Sequence, residues 1–212
     1  MVYSLRMPTP PAPTRLTDRK RAAILEAAVA EFRHAGYEAT SMDRIAASAG
    51  VSKRTVYNHF PSKDELFAHI LQQLLARSLS SPDLLYRPDR PLRPQLLELV
   101  QQKLQLLHDE AFIDLARVAI AAVIPSPERA QAMFARMGDK EEGLTVWVRA
   151  AAADGRLKIE DPQFASMLLQ GMIKGFAFWP QITLGQPVLT PAQREQVAQT
   201  TTDMFLAYFA SA

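Results

Sequence analysis

Apolar residues recur along this chain at helical rather than strand spacing. Ile24, Ala28 and Phe32 fall four apart, on one face of a helix predicted from Asp18 to Ala35, with Thr17 as its cap and Gly36 as its end. Leu66, Phe67, Ile70, Leu71 and Leu74 make a broader face on a helix that starts at Lys63. Leu97, Val100, Leu104 and Leu107 form another stripe, and Phe112, Ala116, Ala119 and Val123 one more, which stops at Pro125. An alanine-rich run with methionines extends from Glu128 to Ala153, and Asp154-Gly155 marks its turn. Asp161-Pro162 and Thr190-Pro191 each place a capping residue before a proline, whose fixed φ suits the first helical position. They open helices that reach about Trp179 and about Phe209. No period-two alternation lasts long enough to build a sheet. The expected fold class is all-α, about nine helices, with an N-terminal helix-turn-helix domain and a C-terminal helical bundle domain.

Between Thr40 and Leu66 the elements become short. Thr40 with Asp43 fits a capping box, and Ile45, Ala46 and Ala49 give an apolar face. Gly50 stands where the chain must turn, since glycine tolerates positive φ. Ser52 caps a helix over Lys53 to His59 whose inward residue is Val56, and Ser62 with Glu65 is a second capping box. In a helix-turn-helix of this kind the second helix enters the major groove of DNA. Arg54 suits guanine, Asn58 suits adenine and the Thr55 methyl suits thymine, with Lys53 beside them. Tyr57, His59 and Lys63 suit phosphates, which position a protein on the duplex. Ser62 and Lys63 also open a helix whose free amides favour an anion. With Thr40 and Ser52, these are the candidate DNA-binding residues. Any one of them alone also reads as a solvated or core residue, and the ordered set carries the assignment.

Charge sharpens this picture. The 212 residues carry a net charge of +2, but residues 1–63 hold ten Lys and Arg against five Asp and Glu, or +5, leaving 14 against 17, or −3, for the rest. The basic excess lies with the groove reader. There is no cysteine, hence no disulfide framework and no thiolate chemistry. No apolar run approaches a membrane span and no signal-peptide pattern is evident, so the expected location is cytoplasmic. Prolines at positions 8, 10, 11 and 13 mark residues 1–16 as a disordered or extended arm. Residues 17–63 are then the DNA-binding domain, 64–80 a connecting helix, and 81–212, after a proline-rich break between Ser80 and Pro94, the remaining domain.

From Arg21 to about Ile70 the sequence resembles the TetR/AcrR family of bacterial one-component transcription regulators. The resemblance rests on Ile24, Leu25, Ala28, Phe32, Gly36, Tyr37, Thr40, Ile45, Ala46, Gly50, Val51, Ser52, Thr55, Tyr57, Phe60, Lys63, Leu66 and Phe67. Most members of that family have a small residue or glycine where this chain has Arg54, a departure that bears on operator sequence. The segment GMIKGFAFWPQITLG, Gly171 to Gly185, is similar to the AefR-type C-terminal subgroup. The resemblance implies a homodimer in which two helices from each subunit form a four-helix interface, and a repressor released from double-stranded operator DNA by an effector.

The C-terminal region offers little catalytic chemistry. The histidines are His34, His59, His69 and His108, with no HExxH spacing and no glycine-rich phosphate loop. His108, Asp109 and Glu110 are adjacent, and neighbours on a helix point different ways. No catalytic residue, metal or cofactor is expected. A pocket for a small apolar or amphipathic effector is expected among Phe112, Met133, Phe134, Met137, Trp147, Phe176 and Trp179, with Glu141 as polar anchor. Phe164, Leu168, Gly171 and Gly175, with Val197, Thr201, Met204, Phe205 and Tyr208, are the candidate dimer interface, since glycines one turn apart permit close helix approach. The chemistry leaves open a regulator without an effector, an activator, and an enzyme with an accessory helix-turn-helix. No membrane partner is expected.

Overall fold

The computed structural model describes residues 16–79, 85–137 and 143–211. The arm before Leu16, part of the proline-rich break, Gly138, Lys140 and Glu141 lie outside the described residues. The chain forms α1 (Leu16–Ala39), α2 (Met42–Ser48), α3 (Lys53–His59), α4 (Lys63–Leu79), α5 (Leu92–Leu107), α6 (Glu110–Val123), α7 (Pro127–Met137), α8 (Gly143–Ala153), α9 (Pro162–Ala177), α10 (Trp179–Thr183) and α11 (Pro191–Phe209). The all-helical expectation holds. Among the described residues there is no strand, only an isolated bridge between Leu157 and Ala210.

Two departures account for eleven helices among the described residues rather than about nine. The run from Glu128 to Ala153 gives both α7 and α8. The helix from Pro162 ends at Phe178, whose φ of −134° is not helical, and α10 begins afresh. Pro180 explains the break, because its ring lacks an amide proton and clashes with the preceding turn. At the other end of the chain Thr17 lies within α1 rather than capping it. Gly36 interrupts α1 with φ 81° and ψ 164°, so the regular helix stops near Ala35 and a short turn carries the chain to α2.

The chain divides into two compact units, one ending at Leu66 and one starting at Phe67. In the first, α1 packs on α2 and α2 on α3. Ile24, Ala28, Phe32, Ile45, Ala46, Val56, Phe60 and Leu66 are its buried core. The turn between α2 and α3 has a specific cause. Val51 N–H donates to Ala46 C=O at 3.1 Å and Gly50 N–H to Ala47 C=O at 3.2 Å, which satisfies the last carbonyls of α2. This closure requires the left-handed φ of 63° that Gly50 adopts.

In the second unit α11 packs along α5 and α9, α8 packs on α9, and α6 lies against α5, α7 and α10. Leu96, Leu99, Val100, Leu169, Ile173, Ala198 and Phe205 are buried there, and the hydroxyls of Thr145 and Ser166 pair at 2.6 Å in the interior. Arg93 bonds Asp203 at 2.8 Å and Arg194 bonds Gln105 at 2.7 Å along the α5–α11 seam. The Arg93 guanidinium holds the Asp203 carboxyl below its ordinary range. Both partners are exposed, so this pair orients the helices more than it stabilises them.

Candidate nucleic-acid interface

Ser52 starts α3 by accepting a hydrogen bond from Thr55 N–H at 3.1 Å, and the two hydroxyls meet at 2.8 Å. Val56 is fully buried and seats the helix, and Phe60, also fully buried, terminates it. Seven residues with one buried anchor leave most of α3 facing outward. Lys53, Arg54, Tyr57 and Asn58 are exposed, and Thr55 and His59 half-buried. Arg54 and Asn58 have no hydrogen-bond or ion-pair partner among the described residues. Lys53 differs, since its Nζ lies 2.5 Å from Asp43 Oδ2 on the first turn of α2. Arg44, also on α2, pairs with Glu31 of α1 at 3.0 Å.

Two residues expected at the interface are placed differently. Thr40 is only 2 % exposed, and its hydroxyl donates to Gly36 C=O at 2.8 Å, so the side chain faces into the fold. The cap of α2 is Ser41, which accepts from Arg44 N–H at 3.2 Å, one residue beyond the expected Thr40 box. The bend at Gly36 turns Thr40 inward and leaves Ser41 in the extended conformation a cap needs. Lys63 donates to Tyr37 C=O at 2.8 Å, Thr40 C=O at 3.1 Å and Glu38 C=O at 3.2 Å, and its ammonium lies 4.4 Å from the Tyr37 ring centroid. An ammonium has three donors, and all three are occupied. Ser62 caps α4 as expected, accepting from Glu65 N–H at 3.1 Å. Arg21 lies at the end of α3, with its guanidinium 4.9 Å over the Phe60 ring.

The candidate effector residues divide. Phe112 and Trp147 are buried in the second unit. Met133, Phe134 and Met137 lie on α7, but their side chains are outside the described set, as is Glu141 altogether. Phe176 is 60 % exposed and Trp179 also faces out, so neither lines an interior pocket. Phe176 follows Gly175 on the outward face of α9 that also carries Phe164, Leu168 and Gly171. Of the candidate interface residues, Phe164, Leu168, Gly171, Gly175, Met204 and Tyr208 are exposed and Val197 half-buried. Thr201 and Phe205 are buried at the floor of the grooves on this face. They continue the buried row of Ala198 on α11, with Phe205 against Phe209 at 4.8 Å between ring centroids. Met167, also exposed, extends the apolar face and went unmarked in the sequence, though it neighbours Leu168. An open groove of about 430 Å³ between α9 and α11 is lined by Met172, Phe176, Leu189, Val197 and Met204. Among the described residues no three His, Asp or Glu side chains converge as a metal site, and no helix is long and apolar enough to cross a membrane.

A short helix seated on α2 with an outward basic and polar face, followed by a helical C-terminal unit, defines a helix-turn-helix transcription regulator. Residues 24–70 match the family described as bacterial regulatory proteins, tetR family, and residues 94–211 match the AefR-like transcriptional repressor, C-terminal domain. The chain belongs to the TetR family of DNA-binding transcriptional regulators. It is similar to the crystal structure of a TetR family regulator from Pseudomonas syringae pv. tomato, at 51 % identity, covering 93 % of this chain and 100 % of that one, with a TM-score of 0.84. It is also similar to the HTH-type transcriptional regulator RutR of Escherichia coli K12, at 28 % identity over 173 residues, or 80 % of this chain and 79 % of RutR. The structure of the flavonoid-responsive regulator FrrA is 28 % identical over 91 % of this chain and 98 % of its own, with a TM-score of 0.65.

The occupied donors of Lys63 lead to a prediction. Replacing Lys63 with Met should destabilise the first unit by about 1.5–3 kcal/mol, the range for hydrogen bonds to a charged group. It should weaken binding to every duplex while leaving the dependence of affinity on salt unchanged. Lys63 as a phosphate contact would instead flatten that slope by about 0.9. Urea unfolding and a salt series of binding measurements distinguish the two.

Proposed function

We propose that this regulator is a homodimeric repressor that reads operator DNA through α3 and is released by an apolar or amphipathic small molecule bound within its C-terminal unit. The observation that carries the dimer is the outward apolar face of α9 and α11, from Phe164 to Tyr208, which is 80 % exposed at Tyr208. An exposed apolar patch of this kind marks an association surface. Nothing within 4 Å opposes a Cβ at Gly171 or Gly175, so the face is open to a second helix. Two copies related by two-fold symmetry present two α3 helices, which calls for a near-palindromic site with half-sites about 34–36 Å apart or a multiple of that.

Two observations support the effector reading. The matched C-terminal domain is described as that of AefR-like repressors, and the similar regulator FrrA is flavonoid-responsive. With Glu141 outside the described residues, a candidate polar contact for such a ligand is the indole N–H of Trp147, which is 1 % exposed and has no acceptor among the described residues. A buried donor without a partner favours a ligand with a carbonyl, phenol or carboxylate oxygen. Such a ligand must bind better to the state whose heads mismatch the operator, because equal affinity for both states shifts nothing.

Three outcomes test this reading. Selection from a random duplex pool should enrich a near-palindrome. Arg54→Ala should relax one position in each half-site at a cost of about 1–3 kcal/mol if the guanidinium reads guanine. Enrichment of no motif would refute the reading of DNA through α3. Sedimentation should show the parent as a dimer and Gly175→Glu as a monomer, since the new carboxylate would be buried against the partner helix. A parent that is monomeric at micromolar concentration removes the proposed interface. For the effector, calorimetry with a panel of flavonoids should find one whose affinity falls in the presence of operator by the same factor that it lowers operator affinity. A compound that binds with no change on adding operator is not the inducer.

A further inference from the structure

We propose that Asp43 is a specificity-determining residue, holding the Lys53 ammonium away from phosphates and so suppressing binding to non-operator DNA. The inference rests on the reading that α3 enters the major groove. Lys53 is the first residue of α3, beside the base-reading candidates, and its long side chain can also reach the duplex backbone, where a cation adds affinity without adding sequence information. In the structure that cation is already neutralised by Asp43 Oδ2 at 2.5 Å, a contact between α2 and α3. Both side chains are more than half exposed, so the pair is weak and a phosphate can exchange for the carboxylate. The neighbouring charges sharpen the effect. Arg44 pairs with Glu31, and Lys63 has its donors on three carbonyls. Arg54 alone on α3 presents a cation without a partner among the described residues.

With Lys53, Arg44 and Lys63 engaged internally, part of the head's sequence-independent affinity is withheld, and more of the discrimination falls to base contacts. Releasing Lys53 reverses that balance. On a scrambled duplex, Asp43→Asn should raise affinity roughly two- to fivefold, the range set by an exposed ion pair. It should also steepen the slope of log affinity against log salt by about 0.9 for each head engaged. Because operator binding already includes the specific contacts, the ratio of operator to scrambled affinity should fall.

A purely structural role for Asp43, fixing α2 against α3, would change stability without changing the slope. Loss of one negative charge near DNA would act whether or not Lys53 is present. The test is therefore a salt series on the full-length protein with the selected operator and a scrambled duplex, for the parent, Asp43→Asn, Asp43→Gln, Asp43→Glu, Lys53→Gln and the Asp43→Asn/Lys53→Gln double variant. Asp43→Glu should keep the parent slope. In the Lys53→Gln background, Asp43→Asn should have no effect on scrambled DNA. The proposal is overturned if Asp43→Asn and Asp43→Gln leave the scrambled-duplex slope unchanged, or if the gain persists without Lys53. Failure of the underlying reading looks different, because the parent itself would then not distinguish operator from scrambled DNA.

Discussion

The first unit depends on how one ammonium gathers three carbonyls. Residues 37–40 leave the end of α1 after the bend at Gly36, and their backbone oxygens have no place in a regular helix. Lys63, on the first turn of α4, takes up those of Tyr37, Glu38 and Thr40. The Tyr37 ring lies under the same ammonium, and the Tyr37 hydroxyl donates to Asp64. Two consecutive residues of α4 thus hold one turn from both its backbone and its side-chain ends. That turn leads directly into Ser41 and α2, on which α3 is seated. The orientation of the outward-facing α3 side chains is therefore set by contacts within the first unit.

This arrangement shows where sequence reasoning succeeds. Gly50, Ser52 and Val56 are legible because each acts within about four residues of its own position, where capping and turn chemistry are local. The carbonyl partners of Lys63 are not legible in the sequence because they lie 23 to 26 residues earlier, and a lysine at a helix start looks the same whether it faces a phosphate or a carbonyl. Thr40 and Ser41 are both good caps, and only the bend at Gly36 decides between them. The end of the helix opened at Pro162 is legible, at Ala177 against about Trp179, because Pro180 is a local signal, whereas the short α10 that follows is not.

In the second unit the same limit takes another form. Helix α11 has apolar residues on two sides. One row, Ala198, Thr201 and Phe205, is buried within the subunit, and another, Met204 and Tyr208, faces out. A periodic pattern reports that both rows are apolar but not which one meets its own chain. Phe176 is the clearest case. As an aromatic on a bundle helix it resembles pocket lining, yet it stands on the outward face of α9 beside the α9–α11 groove.

The charges of the first unit bear on how a regulator of this design would discriminate. Phosphate contacts supply affinity to any duplex, so a head rich in free cations binds widely. Here the lysines nearest α3 are engaged with Asp43 and with backbone carbonyls. Each engaged lysine withholds affinity from a single head, and joining two heads would restore it on a matching site. Once one head of the proposed dimer is bound, the other searches a small volume, and its effective concentration replaces a second independent encounter. The gain is realised only when spacing and sequence suit both heads. The same dependence would make the proposed dimer a sensitive point of control, because the proposed effector need not touch α3. It needs only to favour a head separation that the operator cannot match, and most of the affinity gained by pairing is then lost.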